Sequence, residues 1–196
     1  GTPARFASKA ESAYRTAGKD ERKAILGLCE KRISEDMLPF LKRIQNTETD
    51  SDLRFRIMQI ISSGLGSKSN EILIANLAHF DTQLALASLK AIRDRKLSEA
   101  VPGLIKYIER PDVKERWIAV DVLSDIGSSE AVSAVEKSAV NRKLDKETRL
   151  RAITSLGKLN NNESAAILKQ NLSDTDEQIR KVSREIIRVL ENPKNK

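Results

Sequence analysis

The chain has one cysteine, one histidine and one tryptophan in 196 residues. A single thiol excludes an internal disulfide framework and a cysteine-built zinc cluster. No metal or nucleophilic constellation can be assembled around Cys29 or His79, which fall in different parts of the chain. Cys29 sits among Ile25, Leu26, Leu28 and Ile33 and reads as a small buried hydrophobe. Aromatics are 4% of the residues, and eight Gly and five Pro are too few for the turns of a multi-strand sandwich. No run approaches the ~18 apolar residues of a membrane span. The start, GTPARF, is not a signal peptide and lacks an initiator Met, so a removed leader or anchor stays open. The expected compartment is the cytoplasm and the expected state a monomer, with no cofactor.

What is present points to helices. The chain is 39% hydrophobic and 32% charged, and its apolar content is carried by Leu, Ile, Ala and Val. That balance favours helices packed through aliphatic side chains over an all-β fold. The net charge is +7, with 17 basic and 12 acidic residues in 1–98 against 18 and 16 in 99–196. Such a balance permits an acidic partner or nucleic acid, but no long block of like charge requires one.

The stretch Asp112–Val140 serves as a template. Glu115, Ala119, Val122, Leu123 and Ile126 follow a helical face, a second apolar line runs through Val113, Trp117 and Val120, and a tight turn falls at Gly127. A helix with two apolar sides needs neighbours on both. The template recurs: Asp20, Asp50, Asp81, Asp112, Asp145 and Asp176 begin the first helices at spacings of 30, 31, 31, 33 and 31 residues. A period this steady is that of a solenoid. Asp50, Asp112, Asp145 and Asp176 carry Arg four residues later, at Arg54, Arg116, Arg149 and Arg180. The i, i+4 pair supports a helix start, and the Arg is placed to bridge to an adjacent unit. Second helices open on Ser98-Glu99, Ser129-Glu130, Asn162-Glu163 and Ser34-Glu35, with Ser69-Asn70-Glu71 in a shifted register; each puts a capping side chain before an acid. Pro39 and Pro102 bend the entry to their helices.

The expected organisation is an N-terminal capping helix over 1–18, with Thr2 as N-cap, Pro3 at the first helical position and Gly18 as its stop. Its buried face would be Phe6, Ala10, Ala13, Tyr14 and Ala17. Helix pairs follow at about 20–45, 50–79, 81–109, 112–141 and 145–172, then a lone helix over 175–191 and a polar tail, 192–196.

The pattern D-x3-R-x2-A-x3-L-x2-[IL]-G followed by S-x-E-A-V, standing here as DVKERWIAVDVLSDIGSSEAV and closely matched by DKETRLRAITSLGKLNNNESA, resembles the short HEAT-like repeats of the bilin-lyase type. The resemblance covers roughly residues 20–191. It implies an all-α, right-handed α-solenoid, with first helices on the convex side and second helices lining a concave groove.

Two basic features are candidate sites. One is a column on the second helices, Arg43, Lys106, Lys137 and Gln170, which would form a broken positive ridge along the groove. The other is the last helix, where Arg180, Arg184 and Arg188 follow i, i+4, i+8 beside Lys181; the bland alternative is the solvated face of a terminal cap. Trp117 shares its column with Phe55 and Leu150 and reads as packing between repeats. The leading functional expectation is a non-enzymatic scaffold that binds a partner protein or acidic peptide. The alternative is nucleic-acid binding through the phosphate backbone. A glycosylase-like site, for which Trp117 and Asp121 are the sole hint, and a bilin-lyase-like activity rank below both.

Overall fold

The computed structural model describes residues 2–64, 66–79 and 81–192. Within these the chain forms twelve α-helices and no strand. They are α1 (Pro3–Thr16), α2 (Lys19–Glu30), α3 (Leu38–Thr47), α4 (Ser51–Ser63), α5 (Ser67–Asn76), α6 (Thr82–Arg95), α7 (Val101–Glu109), α8 (Trp117–Ile126), α9 (Ser129–Val140), α10 (Lys146–Leu159), α11 (Ser164–Leu168) and α12 (Glu177–Glu191). Short 3-10 turns lead into α3 and α7 and extend α11. The fold class is an all-α helical solenoid. Of the expected polar tail, residues 193–196 lie outside the described part.

The chain divides into two compact units, Gly1–Ile92 and Arg93–Lys196. In the first, α1 packs on α2 and α3, α2 packs on α4, and α3 packs on α4 and α5. Its core holds Tyr14, Leu26, Cys29, Phe40, Leu41, Ile57 and Ile61, and burial pushes the Cys29 thiol up to about 11. In the second unit α8, α10 and α12 form one row of neighbours and α7, α9 and α11 the other. This two-row stacking needs a small residue where helices come close. At Gly157 on α10 an added Cβ would stand 2.8 Å from Ile186 of α12.

The helix starts correct several sequence expectations. Asp50, Asp145 and Asp176 are N-caps: their carboxylates accept from the N–H groups of Asp52 and Leu53, of Thr148, and of Gln178 and Ile179. Thr2 caps α1, with Pro3 behind it. Asp20 is no cap. Helix α2 starts one residue earlier, with Gly18 as its N-cap and the Glu21 carboxylate accepting from the Gly18 N–H at 3.0 Å. Gly18 therefore opens α2; α1 ends at Thr16, followed by extended Ala17. Its face buries Ala7, Ala10 and Tyr14, while Ala13 is exposed.

Asp112 also fails as a cap, although its stretch served as the template. Arg110 holds its carboxylate in a two-bond fork (2.6 and 3.3 Å), and α8 does not begin until Trp117. On the second helices the cap of α9 is Ser128, one residue before the expected Ser129, and Ser34, Ser98 and Asn162 cap nothing. Pro39 and Pro102 stand in the first turns of α3 and α7, each just after a 3-10 turn.

The ends of the first helices show a regularity of their own. Lys96, Gly127 and Asn160 all adopt left-handed backbone, with φ of 50°, 66° and 53°. Each stands fifteen residues after Asp81, Asp112 or Asp145. Gly fits this position without a Cβ penalty and Asn tolerates it; Lys96 has neither advantage.

Candidate functional site

The Asp–Arg motif forms no ion pair within its own helix among the described residues. Three of the four arginines reach forward instead. Arg54 pairs with Asp81, Arg116 with Asp145 at 2.8 Å, and Arg149 with Asp174 at 2.6 Å. Arg54 also folds back to donate to the Glu48 and Thr49 carbonyls, and Arg180 does the same to Asp174 and Thr175. Arg149 and Asp174 are buried, at 5% and 4% exposure, and Asn171 completes the cluster by accepting from Arg149 and donating to the Ala139 carbonyl. The Arg149 guanidinium, with further help from the Asp176 N–H and Arg142, holds the Asp174 carboxyl below its ordinary value despite burial. These charges join successive repeats.

A buried polar column on the second helices was missed from sequence. Gln45, Asn76, Tyr107, Ser138 and Asn171 are all buried, at spacings of 31, 31, 31 and 33 residues. The regular spacing alone could have revealed it. In the first unit Gln45, Asn76 and Ser88 all point donors at the Met58 sulfur, at 3.5, 3.3 and 3.8 Å. Lys106, Lys137 and Gln170 each stand one residue before a member of this column. Arg43 is the sixth residue of α3, as Lys106 is of α7, and it forks onto Glu11 of α1 at 2.9 and 2.5 Å.

Lys106, Lys137 and Gln170 are exposed on the row formed by α7, α9 and α11 with its 3-10 extension. Among the described residues no carboxylate oxygen comes within 4.0 Å of either ammonium group. Each is accompanied four residues earlier by a short side chain or proline: Pro102, Ser133 and Ala166. Small neighbours beside a free cation leave room for an approaching backbone.

On α12, Lys181, Arg184 and Arg188 are exposed and likewise have no carboxylate within 4.0 Å. With Glu177, Arg180 and Glu185 they line a shallow hollow of about 430 Å³. Arg180 differs from the others because its guanidinium is engaged by the Asp174 and Thr175 carbonyls.

Trp117 lies half-buried where α8 meets α10. The Arg151 guanidinium sits 4.9 Å from its ring centre, and Arg151 Nε is 2.7 Å from Asp121. Trp117, Leu150 and Arg151 share a surface groove of about 550 Å³. Asp121 is thus tied to an arginine rather than presented beside the ring as a free carboxylate. His79 Nδ1 accepts from the Asp81 N–H, and burial lowers its pKa. No cluster of His, Cys, Asp and Glu able to hold a metal occurs among the described residues, and no described helix is long and apolar enough to cross a membrane.

Residues 101–188 match the family model of HEAT repeats. That stretch carries HEAT repeats. A search of curated proteins found no match. Among solved structures, the crystal structure of an engineered protein is similar over 95% of this chain and 96% of its own, with a TM-score of 0.51 and 16% identity. That likeness concerns the fold alone. HEAT repeats are in general protein-interaction scaffolds.

Proposed function

We propose that this HEAT-repeat chain is a non-enzymatic interaction scaffold that holds an extended acidic segment of a partner protein across α7, α9 and the α11 turn. The observation that carries this reading is a contrast within the second unit. Arg116 and Arg149, at the starts of its first helices, are engaged by the neighbouring repeat, whereas Lys106 and Lys137 are exposed and have no carboxylate partner among the described residues. Lysines on adjacent helices can meet successive acidic side chains, and Gln170 adds a donor and an acceptor for the peptide backbone. Rim charges of this kind act chiefly on association rate and specificity. Fluorescence anisotropy of a labelled Glu-rich peptide tests the proposal. Lys106→Glu with Lys137→Glu should weaken binding at least tenfold; unchanged affinity in that variant overturns the assignment.

A second reading, contact with the phosphate backbone of a nucleic acid, is favoured by one feature, the exposed Lys181, Arg184 and Arg188 of α12, which have no carboxylate partner among the described residues. Three neutralised phosphates would give a slope of log affinity against log salt near about −2 on a single strand and about −2.7 on duplex DNA. A flat salt response, or no binding to mixed-sequence DNA or RNA at low salt, removes this reading.

A further inference from the structure

A cleft of about 610 Å³ in the first unit belongs to neither face above. Arg15 of α1, Arg22 of α2 and Arg43 of α3 converge on it from three different helices. Two carboxylates stand among them, and both are occupied. Glu48 is buried and accepts the Tyr14 hydroxyl at 2.6 Å, Arg22 at 3.2 Å, and the N–H groups of Thr49 and Asp50 at 3.0 Å. Glu11 accepts Arg15 at 2.9 Å and the Arg43 fork. The cleft therefore carries one positive charge in excess. Arg43, ahead of Arg15, holds the Glu11 carboxyl down to about 2, so that excess persists throughout the neutral range.

Donors are also in surplus. A guanidinium carries five N–H donors, and the hydrogen bonds of Arg15, Arg22 and Arg43 use fewer than half of theirs. The two wall carboxylates are already engaged by these arginines, by Tyr14 and by backbone N–H groups. Guanidinium forks bind carboxylates and phosphates with the same two-bond geometry. The volume lies within the usual small-ligand range of about 300–1,000 Å³.

We infer that this cleft binds a small ligand bearing an oxyanion, either phosphate or carboxylate, gripped by Arg15 and Arg43 with Arg22 on the remaining wall. The ligand competes with Glu11 for the same two guanidinium groups. Removing the Glu11 charge should therefore strengthen binding, an effect that a purely structural role for these arginines does not produce.

Isothermal titration of the whole chain with pyrophosphate, and separately with citrate, tests the inference. At least one probe should bind at a single saturable site with Kd below about 1 mM. Arg15→Gln with Arg43→Gln should weaken it at least tenfold, and Glu11→Gln should tighten it by about tenfold. Binding of pyrophosphate alone assigns a phosphate ligand, and binding of citrate alone a carboxylate. No saturable binding of either up to about 10 mM, or affinity indifferent to both variants, overturns the inference. Should loss of the Arg43 fork unfold the double variant, Arg15→Gln alone carries the test with Glu11→Gln, since Arg15 is exposed and, among the described residues, its side chain bonds only to Glu11.

Discussion

The two helix rows of the second unit treat their charges differently. Along α8, α10 and α12 the arginines at or near the helix starts reach the next repeat or fold onto the loop behind them, and Arg149 and Asp174 are buried in doing so. On α7 and α9, Lys106 and Lys137 are exposed and have no carboxylate partner among the described residues, beside a buried polar column. The Asp–Arg charges are therefore the ones that build the array, and the lysines of the other row are those left to meet something else.

The largest expected break in this contrast is at Arg149. Replacing it with Met leaves the Asp174 carboxylate buried without its main partner, at a cost of about 3 kcal/mol, read from urea unfolding. Lys137→Met on the other row should stay within about 0.5 kcal/mol of the parent.

Acid should separate the rows next. Asp174 is held low by Arg149, and Asp176 by Lys146. Asp145 ends up low as well, since the N–H and hydroxyl of Thr148 and the Arg116 charge outweigh its burial. A carboxylate with a depressed folded pKa stabilises the fold fully above its unfolded value, about 3.9 for Asp, and that stability is lost as pH falls through the folded value. The urea midpoint should hold from neutrality down to about pH 5 and then fall steeply, and Arg149→Met should flatten the fall.

The helix caps give a smaller effect. Asp145→Ala removes a bonded N-cap and should cost about 1 kcal/mol. Asp112→Ala removes none and should cost under about 0.5 kcal/mol. Equal losses would contradict the assignment of caps. Smaller still is a gain: Lys96→Gly relieves left-handed backbone and should stabilise by about 0.5–1 kcal/mol, seen as a raised Tm.

The repeat was legible because stacking demands the same residue types at the same places, so period, helix pairing and the Asp–Arg motif could be read directly. The template misled at Asp112 because spacing cannot show that Arg110 takes its carboxylate, nor that the helix start consequently slides to Trp117. Spacing likewise cannot show that Glu11 of α1 takes the Arg43 guanidinium. The cleft of Arg15, Arg22 and Arg43 was illegible for a different reason. Its residues come from three helices, one of them the non-repeating α1, so no period brings them together.

Hydrogen–deuterium exchange with a saturating Glu-rich peptide tests the central contrast most directly. Protection confined to 101–109, 129–140 and 164–173, with α8, α10 and α12 unchanged, is the predicted result. Protection confined to α8, α10 or α12 would contradict it.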